Sequence, residues 1–91
     1  MLTSNLSQAS TTQAAATMPT LVKGSFGDAV AILQQMLNFK GFSVDVDRQF
    51  GRLTEQAVKD FQSFNGLVVD GIVATNTWHQ MSMEAEYYET Y

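Results

Sequence analysis

The chain has no cysteine and only one proline, one tryptophan and one histidine in 91 residues. Without thiols there are no disulfides, thiolate metal ligands or cysteine nucleophiles, and the redox compartment is left open. Basic residues are also scarce: five Lys+Arg stand against nine Asp+Glu, a formal net charge of −4. A protein that tracks nucleic-acid phosphates or rests on an anionic membrane needs the opposite surplus. No apolar run approaches the ~20 residues that span a bilayer, so membrane insertion is excluded on this reading. What is present is a 45% hydrophobic content, that of a chain that folds.

Residues 3–17 carry no charge and consist of little but Ser, Thr, Gln and Ala. Such a stretch cannot bury enough apolar surface to offset its ordering entropy, so residues 1–20 read as a flexible linker closed by Pro19. It lacks the basic start and unbroken apolar centre of an intact secretory signal. Asn5-Leu6-Ser7 fits a glycosylation triplet, a pattern too short to carry weight. The folded part is then residues 21–83, followed by an acidic, tyrosine-bearing tail at 84–91. A domain of this size buries only ~60% of its unfolded surface, so nearly every apolar side chain is needed in its core.

At about 100° per residue, Ala29, Val30, Ile32, Leu33, Met36, Leu37 and Phe39 fill one half of a helical wheel. Asp28, Ala31, Gln34, Gln35 and Asn38 fill the other. The spacing predicts a helix over 26–40, with Ser25 and Asp28 as its N-terminal cap and Gly41 as its stop. A second helix over 52–65 sets Ala57, Val58, Phe61 and Phe64 against Glu55, Gln56, Lys59, Gln62 and Ser63, and Gly66 ends it. A shorter third, over 75–83, contributes Trp78 and Met81. The acidic Glu84, Glu86 and Glu89 oppose the dipole at its C-terminus and favour fraying there, although Met81, Ala85 and Tyr88 keep helical spacing with Trp78. The predicted core is Val30, Leu33, Leu37, Val58, Phe61, Val73 and Trp78.

An internal repeat runs through these elements. The segments entering helices two and three both read Asp, two residues, an apolar residue, a small one, two more, then Thr: Asp47…Phe50-Gly51…Thr54 and Asp70…Val73-Ala74…Thr77. Helices one and two share Ala-Val-x-x-[Leu/Phe]-Gln at 29–34 and 57–62. One turn-plus-helix unit is too small to bury its own face, so the units pack together. The aspartates suit bonds to neighbouring backbone amides, with Phe50 and Val73 plugging the core.

In order, these residues are Gly27-Asp28…Val30…Leu33-Gln34, then Phe50-Gly51…Thr54…Ala57-Val58…Phe61-Gln62, then Gly66-Leu67…Val69-Asp70-Gly71…Thr77-Trp78. This series resembles the peptidoglycan-binding domain 1 family over about sixty residues, essentially the whole folded part. Arg48-Gln49 stand where the family usually shows Asp-Gly, and Ala74 where it usually has Gly. The resemblance implies an all-α fold, a small three-helix bundle. It also implies an extracytoplasmic, non-catalytic module that targets an attached cell-wall hydrolase to peptidoglycan. Related domains precede the catalytic domain of animal matrix metalloproteases. The N-terminal stretch fits a tether.

Other classes fare worse. His79 is the only histidine, and with no cysteine it cannot build a tetrahedral zinc site. Asp47 and Asp70 are a carboxylate pair of the kind that hydrolyses glycosides. Their equivalent turns give both a structural job instead. A DNA-reading helix needs cations on its outer face, and residues 75–81 hold none. No cofactor or metal is expected, and the domain is expected to be a monomer. The rival reading is a protein-interaction or intramolecular latch module on the same fold. The predicted site is a cleft between the loops entering helices two and three. Asp47, Arg48 and Gln49 come from one loop, Asp70, Gly71, Thr75 and Asn76 from the other, and Phe42 forms the floor. A glycan or stem peptide would meet apolar surface and hydrogen-bonding groups there. Arg48 would clamp a stem-peptide carboxylate, or else pair with Asp45 or Asp47.

Overall fold

The computed structural model describes residues 18–82. They contain three helices and no strand: α1 (Asp28–Phe39), α2 (Arg52–Phe64) and α3 (Thr75–Met81). The glycosylation triplet, residues 1–17 of the linker and the fraying of 84–91 lie outside the described residues.

All seven predicted core residues are buried, joined by Leu21, Phe50, Ala57 and Met81. The wheel misassigned others. Phe39 and Phe64 sit at the C-terminal ends of α1 and α2, where no third element among the described residues covers them, and both are largely exposed, as in part is Ile32. The cap of α1 also differs. Gly27 is its N-cap, at φ 120° and without a side-chain bond. Ser25 Oγ instead accepts the Val22 N–H at 3.0 Å, closing a tight turn over 22–25.

Gly41 stops α1 as expected, and Gly66 stops α2 in the same way. After α1, Gly41 N–H donates to Asn38 and Phe42 N–H to Leu37; after α2, Gly66 donates to Ser63 and Leu67 to Gln62. Each pair satisfies two orphan helix carbonyls around a left-handed glycine.

The largest departure from the wheel is a pair of glutamines. Gln34 and Gln62, both assigned to polar faces, are essentially inaccessible at 0% and 1% exposure. Each reaches across to the repeated turn that follows it. Gln34 Nε2 donates to Asp47 Oδ1, Gln49 O and Thr54 Oγ1, each at 3.0 Å. Its Oε1 accepts the backbone N–H of Asp47 and of Arg48. Gln62 repeats the pattern on Asp70, Ile72 and Thr77, with Oε1 accepting from Asp70 and Gly71. A primary amide offers two donors and an acceptor carbonyl, enough to satisfy a whole turn from inside the core. Each aspartate also accepts a backbone N–H two residues on, from Gln49 and Ile72 respectively. The sequence repeat is therefore one device used twice: a helix glutamine bolted into an Asp…Thr turn.

The hydrogen bonds of the two turns correspond residue for residue, so Asp47 is the counterpart of Asp70 and Arg48 of Gly71. The first turn thus keeps its aspartate, and the departure from the family's Asp-Gly is confined to the glycine. Arg48 has φ 67° and Gly71 φ 73°, a left-handed conformation that costs a side-chain-bearing residue roughly 1–2 kcal/mol. Arg48→Gly is expected to change stability by less than about 1 kcal/mol, because relief of that strain offsets added unfolded-state entropy. Gly71→Ala is expected to lose about 1–2 kcal/mol, since an alanine there takes on the strain. Its Cβ would also lie 3.1 Å from Lys59 Cε. Urea denaturation of both variants tests this, and equal losses would contradict it.

The packed unit begins before residue 21. Trp78 Nε1 donates to the Pro19 carbonyl at 2.8 Å, and Met18 packs against the core. Leu21 and Val73 exchange backbone bonds of 3.0 and 2.9 Å. Further along, Gly24 and Gly27 donate to Phe50 and Arg48, and Ser25 accepts from Phe50. One strap, residues 19–27, thus holds the second turn with one end and the first with the other.

Candidate functional site

The strap and the first turn enclose an open groove of about 610 Å³, lined by Ser25, Phe26, Asp47, Arg48 and Gln49 among others. Phe26 is 82% exposed there, because the Gly27 cap turns it away from α1. The Arg48 guanidinium bonds the Asp28 carboxylate in the first turn of α1. Its partner is therefore Asp28, and neither Asp45 nor Asp47. Both side chains are well exposed, so the pair is worth at most ~1 kcal/mol.

The Asp47 carboxyl is held below the usual carboxylate range, chiefly by the Gln34 amide and then by the Gln49 N–H. A depressed acid stabilises the fold above its unfolded pKa, about 3.9, and loses that contribution as pH falls through the lower folded value. The melting-temperature gap between the parent and Asp47→Asn is therefore expected to stay constant above pH ~5 and to narrow below ~4. A gap that widens on acidification would reverse the assignment.

A second groove, of about 440 Å³, lies between α1, α2 and the loop joining them. Phe42 lines it, half-buried, with its ring edge-on to Phe61 at 5.7 Å and to Phe64 at 6.1 Å. Leu53 and Ala57 add apolar wall, and Asn38, Asp45 and Asp60 add polar groups.

The predicted residues are therefore only partly brought together. Asp47, Arg48 and Gln49 line the first groove and Phe42 the second, while Asp70, Gly71, Thr75 and Asn76 line neither. The strap is the reason, because its two ends hold the two loops apart. The second loop also packs down on α2, with Gly71 buried against Glu55 and Lys59. Trp78, whose ring is in the core, forms no floor. Phe26 and Leu53 were not foreseen, since an apolar residue beside an apolar stripe reads as core. His79 is exposed, and among the described residues no three His, Asp or Glu side chains are placed to hold a metal ion.

A rigid helical scaffold that presents grooves with apolar floors and polar rims defines a small binding domain. The family comparison names which one: the model of the peptidoglycan binding domain matches residues 26–81, and the chain belongs to that family. Domains of that family are non-catalytic in themselves and occur attached to peptidases. The chain is 40% identical over 65 residues to the zinc D-Ala-D-Ala carboxypeptidase of Streptomyces albus G, covering 68% of this chain and 26% of the enzyme. The crystal structure of the SleB N-terminal domain is similar at TM-score 0.68 and 36% identity, covering 76% of this chain and 94% of that one. The endolysin of Burkholderia AP3 phage is similar at TM-score 0.69 and 41% identity, covering 70% of this chain and 25% of the endolysin. The chain spans 58% and 26% of the length of two curated relatives that it matches.

Proposed function

We propose that this domain is a monomeric, non-catalytic module that binds peptidoglycan outside the cytoplasm and holds an attached wall hydrolase against its substrate. The observation that carries the reading is the family match over residues 26–81, the span that builds the glutamine-bolted turns and supplies most of the lining of both grooves. The first groove is the ligand site on this reading. Phe26 offers a flat apolar face for a sugar ring, and Arg48 and Gln49 offer side-chain donors at its edge. Likeness to a peptidase and an endolysin supports the attached hydrolase. A tethered wall-binding module raises the effective concentration of its neighbour at the polymer.

A lost Asp-Gly turn and an acidic surface would favour the interaction module, and both features weaken. The first turn retains its aspartate. The acidic surplus also falls largely in the tail: residues 18–82 hold all five basic side chains and all acidic ones except Glu84, Glu86 and Glu89. Co-sedimentation with peptidoglycan stripped of accessory polymers, beside cellulose as control, tests the proposal. The chain is expected to pellet with peptidoglycan alone and to remain soluble as Phe26→Ala. Equal recovery on cellulose would overturn specific wall binding.

A further inference from the structure

The second groove has the chemistry of a cation-accepting subsite. Its floor is apolar, built from Phe42, Ala57 and the 75%-exposed Leu53. Its rim carries two carboxylates, Asp45 and Asp60, and no basic side chain lines it. Asp60 Oδ1 accepts from Gln56 Nε2 at 2.9 Å on the exposed face of α2, and no bond to its other oxygen is made among the described residues. An aliphatic stem ending in an ammonium group matches this arrangement. The methylenes lie on the ring and leucine while the charge meets the carboxylates, as long cationic side chains do at protein surfaces.

We infer that the groove between Phe42, Leu53, Asp45 and Asp60 binds the side-chain ammonium of a diamino acid in the peptide stem. This rests on the wall-binding reading and names the part of the polymer that is read. The connecting loop supports it, because it lines both grooves. Asp45 faces the second and Asp47 the first, two residues apart and so at most ~7 Å along the backbone. A glycan in the first groove therefore has its stem within reach of the second. The charges agree: Arg48 stands beside Asp47 in the first groove, whereas the charged side chains that line the second are the acids Asp45 and Asp60.

Competition tests this with the full chain bound to insoluble, polymer-stripped peptidoglycan. The two soluble competitors are a disaccharide–tetrapeptide whose third residue is lysine with a free ε-amine, and the same compound acetylated at that amine. The free-amine form is expected to release the domain at about fivefold lower concentration or less, the loss of one partly exposed charge pair. In the Asp45→Asn/Asp60→Asn variant that preference is expected to vanish. Neither aspartate belongs to the glutamine-turn network, and a thermal melt confirms the variant's fold. No difference between the two competitors, whether both release the domain or neither does, overturns the inference and leaves wall binding standing. A preference retained by the double variant overturns the assignment to this groove. Failure of the parent chain to bind the insoluble polymer overturns both readings.

Discussion

Gln62→Leu is expected to destabilise the domain by about 3–5 kcal/mol, although leucine fills nearly the same volume. The loss comes from stranded partners. Gln62 is buried and bonds five groups of the second turn; of these the Gly71 N–H is itself buried, and the buried Thr77 hydroxyl would keep only a long bond of 3.4 Å to the Ile72 carbonyl. Each buried polar group left without a partner costs about 1–3 kcal/mol. Gln34→Leu is expected to cost less, about 2–3 kcal/mol. Of its partners only Thr54 is buried, and Asp47, Arg48 and Gln49 can turn to water. Chemical denaturation measures both, and a larger loss at Gln34 would contradict the account of the two turns.

Phe61→Ala is expected to cost ~3–5 kcal/mol, comparable with the whole stability of a domain of this size at roughly 0.05–0.15 kcal/mol per residue. Phe61 is 1% exposed in the common core and supports the Phe42 ring edge-on. Its truncation therefore removes both packing and the floor of the second groove. A cooperative melt near the parent temperature would remove Phe61 from the core. Phe64→Ala, two residues before Gly66 and largely exposed, is the control and is expected to cost under ~1 kcal/mol.

These two positions mark what could be read from the chain and what could not. Phe61 was legible because apolar periodicity reports burial directly, and so were Val30, Leu33, Leu37 and Val58. The glutamines were hidden by the same rule, which sends every amide to the surface. The signal for them lay in the repeat. The last residue of Ala-Val-x-x-[Leu/Phe]-Gln recurs with the Asp…Thr turn that follows, and a polar residue repeated with its partners is a candidate for a buried bond. The site was half legible for a different reason. Turn residues identify a loop but not which neighbour it faces, and the strap that parts the two loops is a long-range pairing. Leu21 with Val73 and Phe26 with Gln49 leave no local trace. Arg48 was singled out as an unusual residue in its turn. Its partner, Asp28, lies on the far side of that pairing.

On the proposed reading the glutamine-bolted turns are scaffold, and the grooves beside the first turn meet the wall. Backbone and side-chain amide shifts during titration with a soluble disaccharide–tetrapeptide test it most directly. Saturable shifts are expected at Ser25, Phe26, Arg48 and Gln49, with a second set at Phe42, Asp45 and Leu53. The Gln62 side-chain amide should not move. Saturable shifts confined to the outer face of α1, around Ala31 and Gln35, or to the second turn at Asp70 and Asn76, would contradict it.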